Sequence, residues 1–149
     1  MNDFTMQYTN LDRALDEARP AVQEWSGNQR AKGLDDELIH CTCLVLHEWI
    51  SNLYRHAQFR DCSPRIRIRC SYQDRCISGL VVDNSEGFDL EAHLPNDEET
   101  TELFSEGGNG LRIIRSCTDS LSYTSTGEGL HRFEFTIPSD YDPWLNTLF

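Results

Sequence analysis

Three polar side chains of contrasting chemistry recur at every fourth residue along one stretch of this chain: Glu48, Asn52 and His56. On a helix each such step turns by about 400°, a drift of only about 40°, so the three groups form one narrow stripe. A carboxylate there can orient or deprotonate an attacking hydroxyl. A carboxamide oxygen is a neutral hard ligand suited to Mg²⁺. An imidazole can donate to a phosphate or brace its neighbours. A solvated helix flank has the same spacing, so the stripe gains meaning only from its company.

Two glycine-bearing segments keep it company. In Val81-Val82-Asp83-Asn84-Ser85-Glu86-Gly87-Phe88 a carboxylate closes an apolar run. It can accept a hydrogen bond from an exocyclic amine such as adenine N6, while Gly87 lets backbone approach the ring. A plain strand-end turn reads the same way. In Gly107-Gly108-Asn109-Gly110-Leu111, glycines expose backbone N–H groups at the start of a helix, whose partial positive charge suits a phosphate. No Gly-Lys-Ser/Thr follows, so this is not a P-loop. The spacing and the lack of a βαβ unit separate it from the dinucleotide fingerprint.

The elements that must position these groups are legible in the periodicities. Residues 4–9 alternate as a short edge strand. Asn10 suits an N-cap for a helix over 11–28, inside which Pro20 predicts a kink or a break. Asp35, Asp36 and Glu37 suit the positive end of a second helix over 35–59, with Val45, Leu46, Trp49, Ile50 and Leu53 beside the polar stripe. Residues 65–72 and 76–83 read as strands joined by a turn, with Arg65, Arg67 and Arg69 on one face, either solvated or a partner surface. Residues 84–109 are loop-like and acidic. A helix over 111–119 precedes strands 120–125 and 130–137. The tail after Pro138 carries Trp144, Leu145, Leu148 and Phe149, either a packing segment or a docking stripe. Helices come early and neighbouring strands pair as hairpins. The expected fold is therefore α+β, a two-layer sandwich of a mostly antiparallel, mixed sheet with helices on one face.

The bulk properties narrow the function. The chain has 149 residues, 38% apolar and 26% charged, with a formal net charge of −12. That length suits a single domain over 1–149, with a core over about 10–137. The charge repels nucleic-acid backbones. No apolar run reaches the roughly 20 residues of a membrane helix, and residues 1–10 lack a signal pattern, so a cytoplasmic location is expected. Six scattered cysteines (41, 43, 62, 70, 76 and 117) then read as reduced thiols. His40, Cys43 and His47 have a ligand-like spacing, but no second ligand pair follows to complete a structural metal site.

Taken in order, the three segments resemble the boxes of the Bergerat-fold, histidine-kinase-like ATPases. Glu48-x-x-x-Asn52-x-x-x-His56-Ala57 looks like the N box, Asp83-x-x-x-Gly87-Phe88 like the first glycine box, and Gly108-x-Gly110-Leu111, preceded by Gly107 and followed by Asp119, like the second. Length, the short stretch between boxes and the lack of a phosphoacceptor-histidine helix pair resemble the anti-sigma-factor serine kinases of the RsbW type. The resemblance implies ATP and Mg²⁺. Glu48 would be the general base toward a serine of a small STAS-type antagonist protein, and Asn52 would ligate Mg²⁺. His56 would stand near the phosphates. Asp83 and Gly87 would read adenine, residues 107–111 would close over the phosphates, and about 92–106 would form a lid. It further implies a homodimer that binds a sigma factor in competition with the antagonist. Ser85 replaces a glycine of the first box, where it would crowd the base or stand in for a bridging water. Glu106 stands near the place of a basic residue, and residues 84–110 hold no Lys or Arg. A non-catalytic partner-switching module is the alternative reading, and the catalytic fragment of a sensor histidine kinase a third.

Overall fold

Side-chain caps set where the helices begin. The Asn10 Oδ1 accepts hydrogen bonds from the amides of Asp12 (2.8 Å) and Arg13 (3.3 Å). These start α1 (Leu11–Gln29) as expected of an N-cap. Asp35 caps α2 (Asp36–His56) by accepting from the Leu38 amide at 2.9 Å. Asp36 and Glu37 then sit in its first turn and Arg55 and His56 in its last, each sign at the end of the helix dipole that favours it. The computed structural model describes residues 3–29, 33–59, 63–87 and 109–139. Cys62, Phe88, the lid stretch 92–106, Gly107, Gly108 and the tail residues Trp144 to Phe149 lie outside them.

The break expected at Pro20 does not occur: α1 runs through it without interruption. Ala14, Ala18, Val22 and Trp25 on one stripe of α1 are buried, whereas Pro20 and Asp16 are exposed. Burial of that stripe offsets the roughly 3 kcal/mol cost of an internal proline, and the carbonyl of Asp16, left without its amide, faces water.

Five strands follow the alternation of their residues: β1 (Asp3–Tyr8), β2 (Ile66–Gln73), β3 (Cys76–Asp83), β4 (Ser120–Ser125) and β5 (His131–Pro138). A third helix, α3 (Asn109–Cys117), precedes β4. The sheet order is β1-β2-β3-β5-β4, and every pair is antiparallel. The mostly antiparallel sheet expected from the sequence is thus antiparallel throughout the described strands. The β2–β3 turn is only Asp74-Arg75, both with positive φ (54° and 59°), which is the tight hairpin geometry. The strand β5 then inserts between β3 and β4.

The register gives the sheet two unlike faces. Ile66, Ile68, Cys70, Tyr72, Ile77, Val81, Phe133, Phe135 and Ile137 are buried on the inner face. The helix α2 packs there with Val45, Leu46, Trp49, Ile50 and Leu53, all 0% exposed. Trp49 stacks on Phe133 (centroids 4.0 Å, 10°) and meets Tyr123 edge-on at 5.2 Å. The neighbouring Cys117 thiol at the end of α3, together with burial, pushes the Cys41 thiol of α2 up from its ordinary value. Cys41, Cys43, Cys70, Cys76 and Cys117 are free thiols. The outer face carries rows such as Gln7, Arg67, Val82, Arg132 and Thr124 across all five strands. No described helix covers it.

Trp49→Ala should destabilise the domain by about 3–5 kcal/mol in a denaturant titration, because the lost ring leaves a cavity between α2 and the sheet. Tyr54→Ala, on the same helix but 54% exposed, should stay within about 0.5 kcal/mol of the parent. Equal effects would contradict the packing.

Candidate functional site

Asp83 ends β3 and is 0% exposed, the one buried carboxylate among the described residues. Its Oδ1 accepts from the Ser85 amide at 2.9 Å and, in a very short contact, from the Ser85 hydroxyl. The same hydroxyl oxygen accepts from the Gly87 amide at 3.1 Å. Ser85 is itself 3% exposed. It therefore bridges the carboxylate to the glycine, in the manner of an ordered water, and does not stand in the open part of the site. Burial pushes the Asp83 carboxyl above its ordinary value of 3.8, while the Ser85 bonds and nearby His131 pull it back. The other oxygen, Oδ2, is buried with no hydrogen-bond partner among the described residues.

His131 adjoins this aspartate and was not singled out by sequence. It opens β5 and pairs with Asp83 in register. A Cβ built on Gly87, whose φ is +76°, would come within 2.3 Å of the His131 Nε2. The imidazole thus fills the space that only a glycine leaves. It stacks on Tyr123 (5.6 Å, 22°), and its Nδ1 is buried without a partner among the described residues. The sequence signal was weak: a lone histidine that starts a strand far from the aspartate, with the pairing set by the β3–β5 register.

The helix α2 supplies the facing polar groups. Glu48 and Asn52 are both half-buried, and the Asn52 Nδ2 has no partner among the described residues. A Cβ on Gly110 would lie 2.7 Å from the Glu48 Oε2, so the carboxylate reaches the first turn of α3 across a gap kept open by the missing side chain. His56 is exposed at the last residue of α2. Leu111 is 6% exposed and packs in the core, where it anchors α3. Asn109 begins that helix.

Hydrogen bonds to neighbouring backbone hold the loop after β3. The Glu86 amide donates to the Gln58 carbonyl at 2.9 Å, joining the loop to the segment after α2. Asn84 accepts from the Arg65 amide at 2.7 Å and donates to the Ser63 carbonyl at 2.9 Å. An orphaned acceptor on Asp83, an orphaned donor on Asn52 and an orphaned ring nitrogen on His131 thus occupy the inner side of the sheet and the helix packed on it. Buried polar atoms without partners cost about 1–3 kcal/mol each, and among the described residues Trp25, Gln29 and Tyr72 carry such atoms too.

Helices α2 and α3 on the inner face of a five-stranded antiparallel sheet, with Glu48 against Gly110 and Asp83 beside His131, give the architecture of an ATPase-like class of domain. The sequence model for the histidine kinase-like ATPase domain matches residues 8–131, and this chain belongs to that family. Among solved structures, the histidine kinase domain of the blue-light-activated histidine kinase from Erythrobacter litoralis EL346 is 20% identical with a TM-score of 0.54. The match covers 92% of this chain and 64% of that one, so the chain spans under two-thirds of that domain. The catalytic domain of the histidine kinase ThkA, in a nucleotide-free form, is 18% identical with a TM-score of 0.46, covering 95% of this chain and 98% of that one. No protein of curated function matches the chain.

A raised folded-state pKa means that the native protein holds the Asp83 proton more tightly than the unfolded chain does. Stability from this group is thus present at low pH and lost as pH rises from about 3.8 through the raised value. Asp83→Asn should accordingly melt at or above the parent temperature at neutral pH, and the gap should close as the pH falls toward 4. A variant clearly less stable than the parent at neutral pH would show that the carboxylate is a structural support and not a strained ligand group.

Proposed function

We propose that this domain binds Mg-ATP and transfers the terminal phosphoryl group to a serine of a small STAS-type antagonist protein, acting as an anti-sigma-factor-like serine kinase that regulates transcription by partner switching. The observation that carries the reading is the unsatisfied Oδ2 of the buried Asp83, an acceptor poised for an exocyclic amine. Family membership supports ATP as the bound nucleotide.

The chain's own groups divide the work. Asp83 accepts from the adenine amine, and Ser85 keeps that carboxylate oriented through its two bonds to Oδ1. Gly87 and His131 form the wall beside it. Residues 107–111 present backbone amides to the phosphates, and His56 stands on the phosphate side. Asn52 offers its amide oxygen to Mg²⁺. No cluster of three or more His, Cys, Asp or Glu occurs among the described residues. A magnesium carried in by phosphates and its own waters fits a single asparagine without such a cage. When bound, Mg-ATP supplies the phosphoryl group and neutralises charge on the transferring oxygens. Glu48, beside Gly110, orients the incoming serine hydroxyl and takes its proton.

The charge of −12 disfavours nucleic acid as a direct target, which leaves proteins as partners: the antagonist, a sigma factor and a second copy in a homodimer. No described helix is long and apolar enough to cross a membrane, in keeping with a cytoplasmic role. The second reading, a partner-switching module without catalysis, is favoured by one observation: residues 84–110 hold no Lys or Arg to offset a triphosphate. At effective dielectrics of 80 to 20, each carboxylate near a phosphate opposes it by about 1–4 kcal/mol.

Titration with Mg-ATP should raise the melting temperature of the parent chain and leave Asp83→Asn unmoved. Absence of any response at millimolar ATP would leave only the module reading. With a STAS-type antagonist present, Glu48→Gln should keep the ATP response yet transfer phosphate at least about 100-fold more slowly. Parent-like transfer would remove Glu48 from the chemistry.

A further inference from the structure

A second cavity lies at the same end of the sheet as Asp83, on its open face. It has a volume of about 1010 Å³ and occupies one end of the sheet's open face and its β1 margin. Four guanidinium groups line it: Arg13, Arg65, Arg67 and Arg132. They belong to three elements and the residue before β2, in a chain whose net charge is −12. Arg13 is paired with Glu17 at 3.1 Å and Arg132 with Glu134 at 2.7 Å, both pairs exposed. Arg65 and Arg67 are exposed and have no carboxylate partner among the described residues. Between the arginines the floor is apolar, formed by Leu80 and Val82, both half-buried on a face that no described element covers.

We infer that this arginine-lined sheet face is a docking surface for an extended acidic peptide segment of a partner protein, one whose carboxylates alternate with apolar side chains. Spacing selects that occupant. Arg65 and Arg67 are alternate residues on one side of the strand, about 6.6–6.8 Å apart, and same-side groups of an extended peptide repeat at the same interval. The row Arg67, Val82, Arg132 runs across three strands, so cation, methyl groups and cation meet a ligand in turn. A small inorganic anion has nothing to lay on Leu80 and Val82. A nucleic acid carries dense phosphate charge into the field of a strongly acidic molecule and is disfavoured at long range. A peptide offers a few carboxylates for bidentate guanidinium contacts and apolar groups for the floor. The surface is independent of the nucleotide reading, because it lies on the face opposite α2 and Asp83.

The test uses the full chain and a fluorescein-labelled octapeptide that alternates glutamate with valine and leucine. Anisotropy should show saturable binding that weakens at least about tenfold as salt rises and in the double variant Arg65→Glu/Arg67→Glu, as expected where exposed charge pairs and steering contribute. Arg65→Gln/Arg67→Gln should fall between, and the same peptide with lysine for glutamate should not bind. Melting temperature should be unchanged in both variants, and the response to Mg-ATP is read on Arg67→Glu alone, because the Arg65 amide bonds Asn84 in the loop after β3. If charge reversal lowers the melting temperature, the glutamine pair alone decides. Lack of saturable binding by the parent chain, or equal binding by the variants, overturns the inference. So does tighter binding of a short single-stranded oligonucleotide, which assigns the face to nucleic acid. Self-association that the substitutions abolish in sedimentation assigns it to a second copy.

Discussion

A carboxylate with no exposed surface, one oxygen held by its own loop and the other by none of the described residues, is costly to fold. Desolvating the charge opposes burial, and two bonds from Ser85 recover only part of that cost. The remainder must come from elsewhere in the domain. The inner sheet face, with Ile68, Ile77, Val81, Phe133 and the α2 side chains at or near zero exposure, is where it comes from. The order of dependence runs from core to site: apolar packing fixes β3 against β5 and α2, and only then can Asp83 be kept dry with an unspent acceptor.

Trp49 links the two levels. It occupies the turn of α2 between Glu48 and Asn52 and stacks flat on Phe133 of β5, two residues from His131. Tyr123 touches both Trp49 and His131. One aromatic cluster thus sets the height of the polar stripe over the sheet and the tilt of the imidazole beside Gly87. The two sides of the cleft are positioned by the same rings, so a shift in one is transmitted to the other through close-packed contacts.

The sequence showed α2 and its stripe clearly because helical periodicity survives any tertiary context, and the same holds for the alternation of β2. Hairpin turns were legible from Asp74-Arg75 and from Thr126 to Gly129. What escaped was whatever depends on lateral register or on a sum of distant energies. His131 lies opposite Asp83 only because β5 slots between β3 and β4, and local spacing carries no trace of that. The helix passes through Pro20 because burial on the far side of α1 outweighs a local penalty. Of the two readings open for Ser85, crowding a base or replacing a bridging water, its hydroxyl takes the second place, between Asp83 and Gly87. His56 keeps the four-residue spacing and is exposed as the last residue of α2.

The near contact between Glu48 and Gly110 has a consequence for heredity. A methyl group at 110 would need only the flexible end of the acidic side chain at 48 to swing aside, so an exchange at one codon moves the other side chain without forbidding it. A descendant copy that had given up the acid would accept alanine or serine at 110 with nothing to displace. One that kept the acid would accept them with its carboxylate shifted from the first turn of α3. In any lineage that carries this domain, a side chain at 110 beside a retained acid therefore marks a carboxylate moved from the place it holds here.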